Sequence, residues 1–232
     1  MKTFLKTAIG GIFLLYFTTA GALTLPNKSL SSNDVTAGLK EALALSTKNA
    51  TELASRVDGF YRNPEIFIPF PPEAIQMKNV LERVGLKSQV EKFIMTMNRA
   101  AEEATKKAAP IFLDAIKKLT IQGGVQILKG PDNAATQYLW RQTGAKLNAA
   151  FRPVVHNAID KVGLAKLWEP LAKQYNRIPL MGRVDPNLDT YVTQRAVAGL
   201  FKLIGDEEKK IRQNPSARVN DILQRVFGSL GK

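Results

Sequence analysis

From Ser31 onward, apolar residues return every three or four positions in one stretch after another, and two-residue alternation is almost absent. That spacing lines apolar side chains along one stripe of a helix, so it commits the chain to helices packed on helices. Val90, Phe93, Ile94, Met97, Ala101, Ala104 and Ala108 form one such stripe, and Leu188, Tyr191, Val192, Ala196, Gly199, Leu200, Leu203 and Ile211 another. Ile66/Ile68 and Ile178/Leu180 are short enough to pair as one small β bridge at most. The expected fold class is all-α, an irregular bundle of about eight helices.

Caps, glycines and prolines divide the chain. Ser31, Ser32 and Asn33 supply N-cap candidates for a helix to about Ser55, which Asp58-Gly59-Phe60 ends. Pro69, Pro71 and Pro72 hold an extended loop, and the last two suit the first turn of a helix ending near Gly85. Ser88 is a candidate cap for the next helix, which Pro110 should break or kink before it resumes over Ile111 to Leu119. Thr120 to Leu128 reads as a short helix weakened at its centre by Gly123 and Gly124. A helix from Asp132 or Asn133 through Trp140 precedes a longer one to about Val162, interrupted by Pro153. Leu164 to Tyr175 is helical with Pro170 inside, and Arg177 to Asn187 is a loop. Leu188 to Gln213 is the cleanest helix, Pro215 stops it, and Ser216 is expected to cap the last one. Pro110 to Leu119 echoes Pro153 to Val162 at an offset of 43, which suggests a duplicated hairpin or a chance match.

The N-terminus reads as an export signal. Lys2 and Lys6 precede the apolar run Ala8 to Phe17, and Ala20-Gly21-Ala22 offers small residues for cleavage after Ala22. An uncleaved anchor is the alternative, since Ala8 to Leu25 carries no charge. With cleavage, residues 1–22 are a signal peptide, residues 23–232 form a single helical domain, and the compartment is periplasmic. The chain has 0 cysteines, so lipid attachment through a lipobox, disulfides and thiolate metal sites are all excluded.

The chain carries 33 Lys+Arg against 20 Asp+Glu, and without Lys2 and Lys6 the balance is 31 to 20, or +11. Such a field attracts anions. In an exported protein these are anionic lipid, lipopolysaccharide, wall polymers or acidic envelope proteins, and nucleic acid is not the expected partner. Lys106, Lys107, Lys117, Lys118, Lys129, Arg141, Lys146 and Arg152 form the densest candidate for an anion-facing surface.

Catalytic signatures are missing. His156, the single histidine, has no second ligand at helical spacing and reads as a structural residue beside the core. No metal or cofactor is expected. Glu102-Glu103 and Glu207-Glu208 read as halves of surface helix pairs, since Lys106, Lys107 and Arg212 each follow a glutamate by four. Neither a Gly-x-Ser-x-Gly elbow nor a P-loop occurs after the signal. Phe67 and Phe70, in the proline-rich loop, are expected to pack inward.

Asp58-Gly59-Phe60, Met97-Asn98-Arg99-Ala100-Ala101-Glu102, Ala109-Pro110-Ile111-Phe112, Ile127-Leu128-Lys129-Gly130, Ala134 to Leu139, Tyr175-Asn176, Asp189 to Thr193, Gly199-Leu200-Phe201 and Glu207-Glu208 through Ile211-Arg212 occur in that order. This series resembles the bacterial envelope family called domain of unknown function 4197. The resemblance implies exported or lipid-anchored helical proteins with no assigned activity. Two features depart from the family pattern: the missing lipobox cysteine, and Gly123-Gly124 where an Asp-Ala pair is expected. Within the motifs, Asn98, Arg99, Glu102, Tyr175, Asn176, Tyr191 and Thr193 are polar residues among apolar ones. Buried polar groups need partners, so some of these residues are expected to share one hydrogen-bonded network between helices, lining a pocket or only fixing the packing.

Two functions remain open from sequence. One is a non-enzymatic envelope protein binding an anionic or amphipathic component or a protein partner. The other is a hydrolase using Glu102 with Asp58 or Asp189 as carboxylate acid and base, which needs both in an open cleft.

Overall fold

The computed structural model describes residues 30–83, 85–161, 168–169, 172–173, 176–177, 183–185 and 187–229. The export signal, Tyr175, Ile178 and Leu180 lie outside the described residues, as does most of the helix expected over Leu164 to Tyr175. Among the described residues the protein is an irregular all-α bundle without strands. Its helices are α1 (Ser32–Ala54), α2 (Ile75–Arg83), α3 (Lys87–Thr105), α4 (Ala108–Lys117), α5 (Ile121–Leu128), α6 (Ala134–Lys161), α7 (Leu188–Gln213) and α8 (Asp221–Gly228). Short 3-10 turns at Pro72–Ala74 and Pro215–Ala217 introduce α2 and α8.

Three long helices organise the core. α1 packs against α4, α5, α7 and α8, while α6 packs against α3, α4 and α7, and α3 also meets α7. Leu39, Leu43, Met97, Phe112, Leu139, Phe151, Leu200 and Phe227 are fully buried where these helices meet. No helix among the described residues is long and apolar enough to cross a membrane.

Local chemistry sets the helix ends. Ser31 caps α1 in a reciprocal box: its hydroxyl accepts from the Asp34 N–H at 3.1 Å, and the Asp34 carboxylate accepts from the Ser31 N–H at 3.1 Å. Thr120 caps α5 through the Gly123 N–H. α3 has no side-chain cap; it begins at Lys87, so Ser88 lies within its first turn rather than ahead of it. The α3–α4 break falls at Lys106-Lys107, and Pro110 occupies the first turn of α4, where a missing N–H costs no helical hydrogen bond. The last helix is capped by Asn220, not Ser216; Asn220 accepts from the Leu223 N–H at 3.1 Å.

Two expectations about breaks are corrected. α6 is one helix of 28 residues rather than two, because no breaker stands near Trp140. Pro153 lies inside α6 on an exposed face, where water can satisfy the Ala149 carbonyl it leaves free. Pro110 and Pro153 thus occupy different settings, one in a first turn and one mid-helix, which favours a chance echo over a duplicated hairpin. Gly124 gains a reason for its place in α5: a Cβ there would lie 2.7 Å from Thr36 Oγ1, so the missing side chain lets α5 close on α1.

Candidate functional site

The motif residues converge on the loop between α1 and α2. Asp58 adopts a positive φ of 69°, a conformation aspartate tolerates better than most residues. Gly59 then passes so near the end of α1 that a Cβ would meet the Leu53 and Ala54 carbonyl oxygens at 2.4 and 2.6 Å. Phe60 turns fully inward. α3 secures this turn. Glu102 accepts from the Phe60 and Tyr61 N–H groups through Oε1 at 3.1 and 3.2 Å. Arg99 donates to Glu102 Oε2 at 2.7 Å and to Asp58 Oδ1 at 2.6 Å, with its guanidinium 5.6 Å from the centre of the Tyr61 ring.

One helical turn earlier, Asn98 holds the same loop further along. Its Oδ1 accepts from the Ile68 N–H at 2.8 Å, and its Nδ2 donates to the Ile68 carbonyl at 2.8 Å. The fully buried amide thus takes the two backbone groups of Ile68 that a strand partner would have taken. From α7, the Tyr191 hydroxyl donates to the Pro69 carbonyl at 3.1 Å, and burial pushes the phenol's pKa up. Phe70 packs against Phe93 and Trp168 as expected, whereas Phe67 stays partly exposed beside Tyr61.

The expected network is shared in part: Arg99 bridges Glu102 and Asp58, while Asn98 and Tyr191 reach the same loop by separate bonds. Asn98, Arg99, Glu102 and Tyr191 all fasten the segment from Asp58 to Ile68-Pro69, but each does so through backbone atoms or Asp58. Asn176 repeats the amide pairing elsewhere, with Nδ2 donating to the Val184 carbonyl at 2.7 Å and Oδ1 accepting from its N–H at 2.8 Å. Thr193 is buried on α7 and its hydroxyl has no partner among the described residues. Tyr175 lies outside the described residues.

The carboxylates expected on the surface are largely internal. Glu102 is buried and does not pair with Lys106, which bonds Glu103 instead, while Lys107 is left without a carboxylate. Glu208 and Arg212 do pair at 2.9 Å, but inside the bundle with both side chains 4% exposed. Glu208 accepts from the Ala135 and Thr136 N–H groups and the Thr136 hydroxyl, satisfying donors at the start of α6. Arg212 donates to the Ile127 and Leu128 carbonyls at the end of α5. Spacing could not reveal these backbone partners, which stand 72 to 85 positions away in sequence.

His156 is also corrected: it is half-exposed rather than packed beside the core. Its Nδ1 lies 2.7 Å from Asp189 on α7 and its Nε2 3.2 Å from Asp160. These carboxylates raise the imidazole pKa above 6.5, chiefly through the hydrogen bond to Asp189. The basic candidates are exposed on α4, α6 and the turns beside them. Lys118 and Lys146 share Asp114, and Arg152 reaches only the Thr190 hydroxyl, at 3.3 Å. Lys117, Lys129 and Arg141, like Lys107, have no carboxylate partner among the described residues. Among the described residues no cluster of three His, Asp or Glu side chains could hold a metal.

The fold and its fastenings define a class: an all-α bundle in which buried Glu, Arg and Asn side chains tie loops and helix ends together. The chain belongs to the family described as protein of unknown function (DUF4197), whose model matches residues 29–228. Neither the curated proteins nor the solved structures yield a match.

Proposed function

We propose that this protein is an exported, non-enzymatic helical protein that binds an anionic or amphipathic component of the cell envelope. The observation that carries the reading is the unpaired charge: Lys107, Lys117, Lys129 and Arg141 face solvent without a carboxylate partner among the described residues, and Lys118 and Lys146 divide one between them. A surface of this kind attracts lipid phosphates, lipopolysaccharide or acidic polymers over about 10 Å at moderate salt. Export rests on the pattern of residues 1–22.

The hydrolase alternative needs a carboxyl oxygen open to substrate. Glu102 has both oxygens engaged, and Arg99 stands between it and Asp58. Asp189 is held by His156. This geometry favours fastening over acid and base chemistry. Vesicle flotation is the test: the protein should rise with vesicles of anionic lipid at low salt and be released as salt is raised. Protein that stays at the bottom of the gradient at low salt refutes the reading.

A further inference from the structure

Among the described residues, Thr193 is one of two buried polar side chains whose donor and acceptor capacity goes unused; the other is Thr51. Thr193 is 3% exposed, on the face of α7 that meets α6. A hydroxyl buried without a partner lowers stability, so its retention calls for a physical reason. Thr193 forms part of the wall of a groove of about 220 Å³ on the α6–α7 seam, with Asn148, Ala149, Arg152, Thr190 and Gln194.

The groove's chemistry is one-sided. Arg152 brings a guanidinium with no carboxylate partner among the described residues, and the Thr190 hydroxyl stands 3.3 Å from its Nη2. Asn148 spends its Nδ2 on the Gly144 carbonyl, while Gln194 is exposed on α7 in the same lining. Thr190 lies in the first turn of α7, where N–H groups lack helical acceptors and the helix dipole favours negative charge. Asp189, beside Thr190, directs a carboxylate oxygen to His156 Nδ1 at 2.7 Å and makes no ion pair with Arg152 among the described residues. The volume is below the roughly 300 Å³ at which pockets begin to hold drug-sized ligands, so the occupant is a single compact group. The Arg152 guanidinium from α6 and the Thr190 hydroxyl from α7 stand together, and Thr193 and Gln194 share the lining, a donor set that suits the several oxygens of a tetrahedral anion better than a flat carboxylate.

We infer that the α6–α7 groove at Arg152, Thr190, Thr193 and Gln194 binds a phosphate group, with Thr193 turning its hydroxyl into the groove to donate the bond it lacks when empty. This rests on the reading of the protein as a binder of anionic envelope material and gives that reading a discrete contact. The group could be a free phosphomonoester or the headgroup of a lipid.

The full mature chain is titrated with inorganic phosphate and followed by NMR at Thr190, Thr193 and Arg152. Saturable shifts confined to these residues and their groove neighbours are expected. Arg152→Gln should weaken phosphate binding about tenfold or more, the scale of a lost hydrogen bond to a charged group. Thr193→Val is isosteric and should weaken binding several-fold while raising the Tm of the free protein by about 2–4 °C, since it removes an unsatisfied hydroxyl. Lys87→Gln, an equal loss of charge on α3, should leave phosphate binding unchanged. No saturable shift in the groove, or equal phosphate affinity in wild type and both groove variants, overturns the proposal. Vesicles of phosphatidic acid compared with glycerol phosphate in solution separate the two sources. Failed flotation with intact phosphate binding would refute the basic surface alone, and flotation without groove shifts would refute the groove alone.

Discussion

At the residue scale, the buried polar side chains act mainly as substitutes for missing backbone partners. Asn98 completes Ile68 as a strand would, and Glu102 satisfies two N–H groups in a turn with no regular ladder. Asn98→Ala would orphan both backbone groups of Ile68 at a fully buried site and should cost about 2–4 kcal/mol in a urea titration. Asp58→Asn should be milder, because asparagine also tolerates the positive φ and only the Arg99 and Arg62 pairs are weakened. His156 makes stability depend on pH. Its folded pKa is raised, so its ion pairs contribute fully below the unfolded value near 6.5 and fade as pH rises through the raised folded value. An NMR titration should place its midpoint above 6.5, and His156→Gln should remove that part of the pH dependence of Tm.

At the element scale, helix ends are joined to distant helices rather than left to water. Glu208 on α7 serves the start of α6, and its partner Arg212 serves the end of α5. Glu208→Ala leaves Arg212 charged and buried as well as orphaning the α6 N–H groups, so a loss of about 3–5 kcal/mol is expected by denaturant unfolding. Helix contact also depends on side chains that are absent. A Cβ at Gly38 on α1 would lie 2.6 Å from Val226 Cγ2 on α8. Gly38→Ala should destabilise the protein despite its better helix propensity, and Val226→Ala should recover part of the loss in the double variant, a non-additivity read by thermal unfolding.

At the scale of the whole molecule, stability is unevenly spread. α1, α6 and α7 carry the core, whereas α2 has no buried residue and rests on α3. Hydrogen exchange should therefore be fast through Ile75–Arg83 and slow through the middle of α1 and α7, as measured by mass spectrometry. Equal protection in α2 and α1 would refute that ranking. The charge excess belongs to the whole molecule too. On the proposed function it acts through the exposed cations on α4, α6 and adjoining turns, and salt should weaken any binding it causes.

The helical class and the span of α7 are legible in the chain alone, because a period of three to four residues is a local property. The motifs shared with the family singled out Asn98, Arg99, Glu102 and Tyr191 as polar residues set among apolar ones. The sequence could not supply their partners. Glu102 and Lys106 have the spacing of a surface pair, but packing turned Glu102 inward to bond Phe60 and Tyr61, 42 and 41 positions away. The break at Lys106-Lys107 rather than at Pro110 is likewise absent from the local pattern, which a proline in a first turn does not interrupt. Periodicity is written in adjacent residues; the choice of hydrogen-bond acceptor is made only when distant segments are brought together and water is removed.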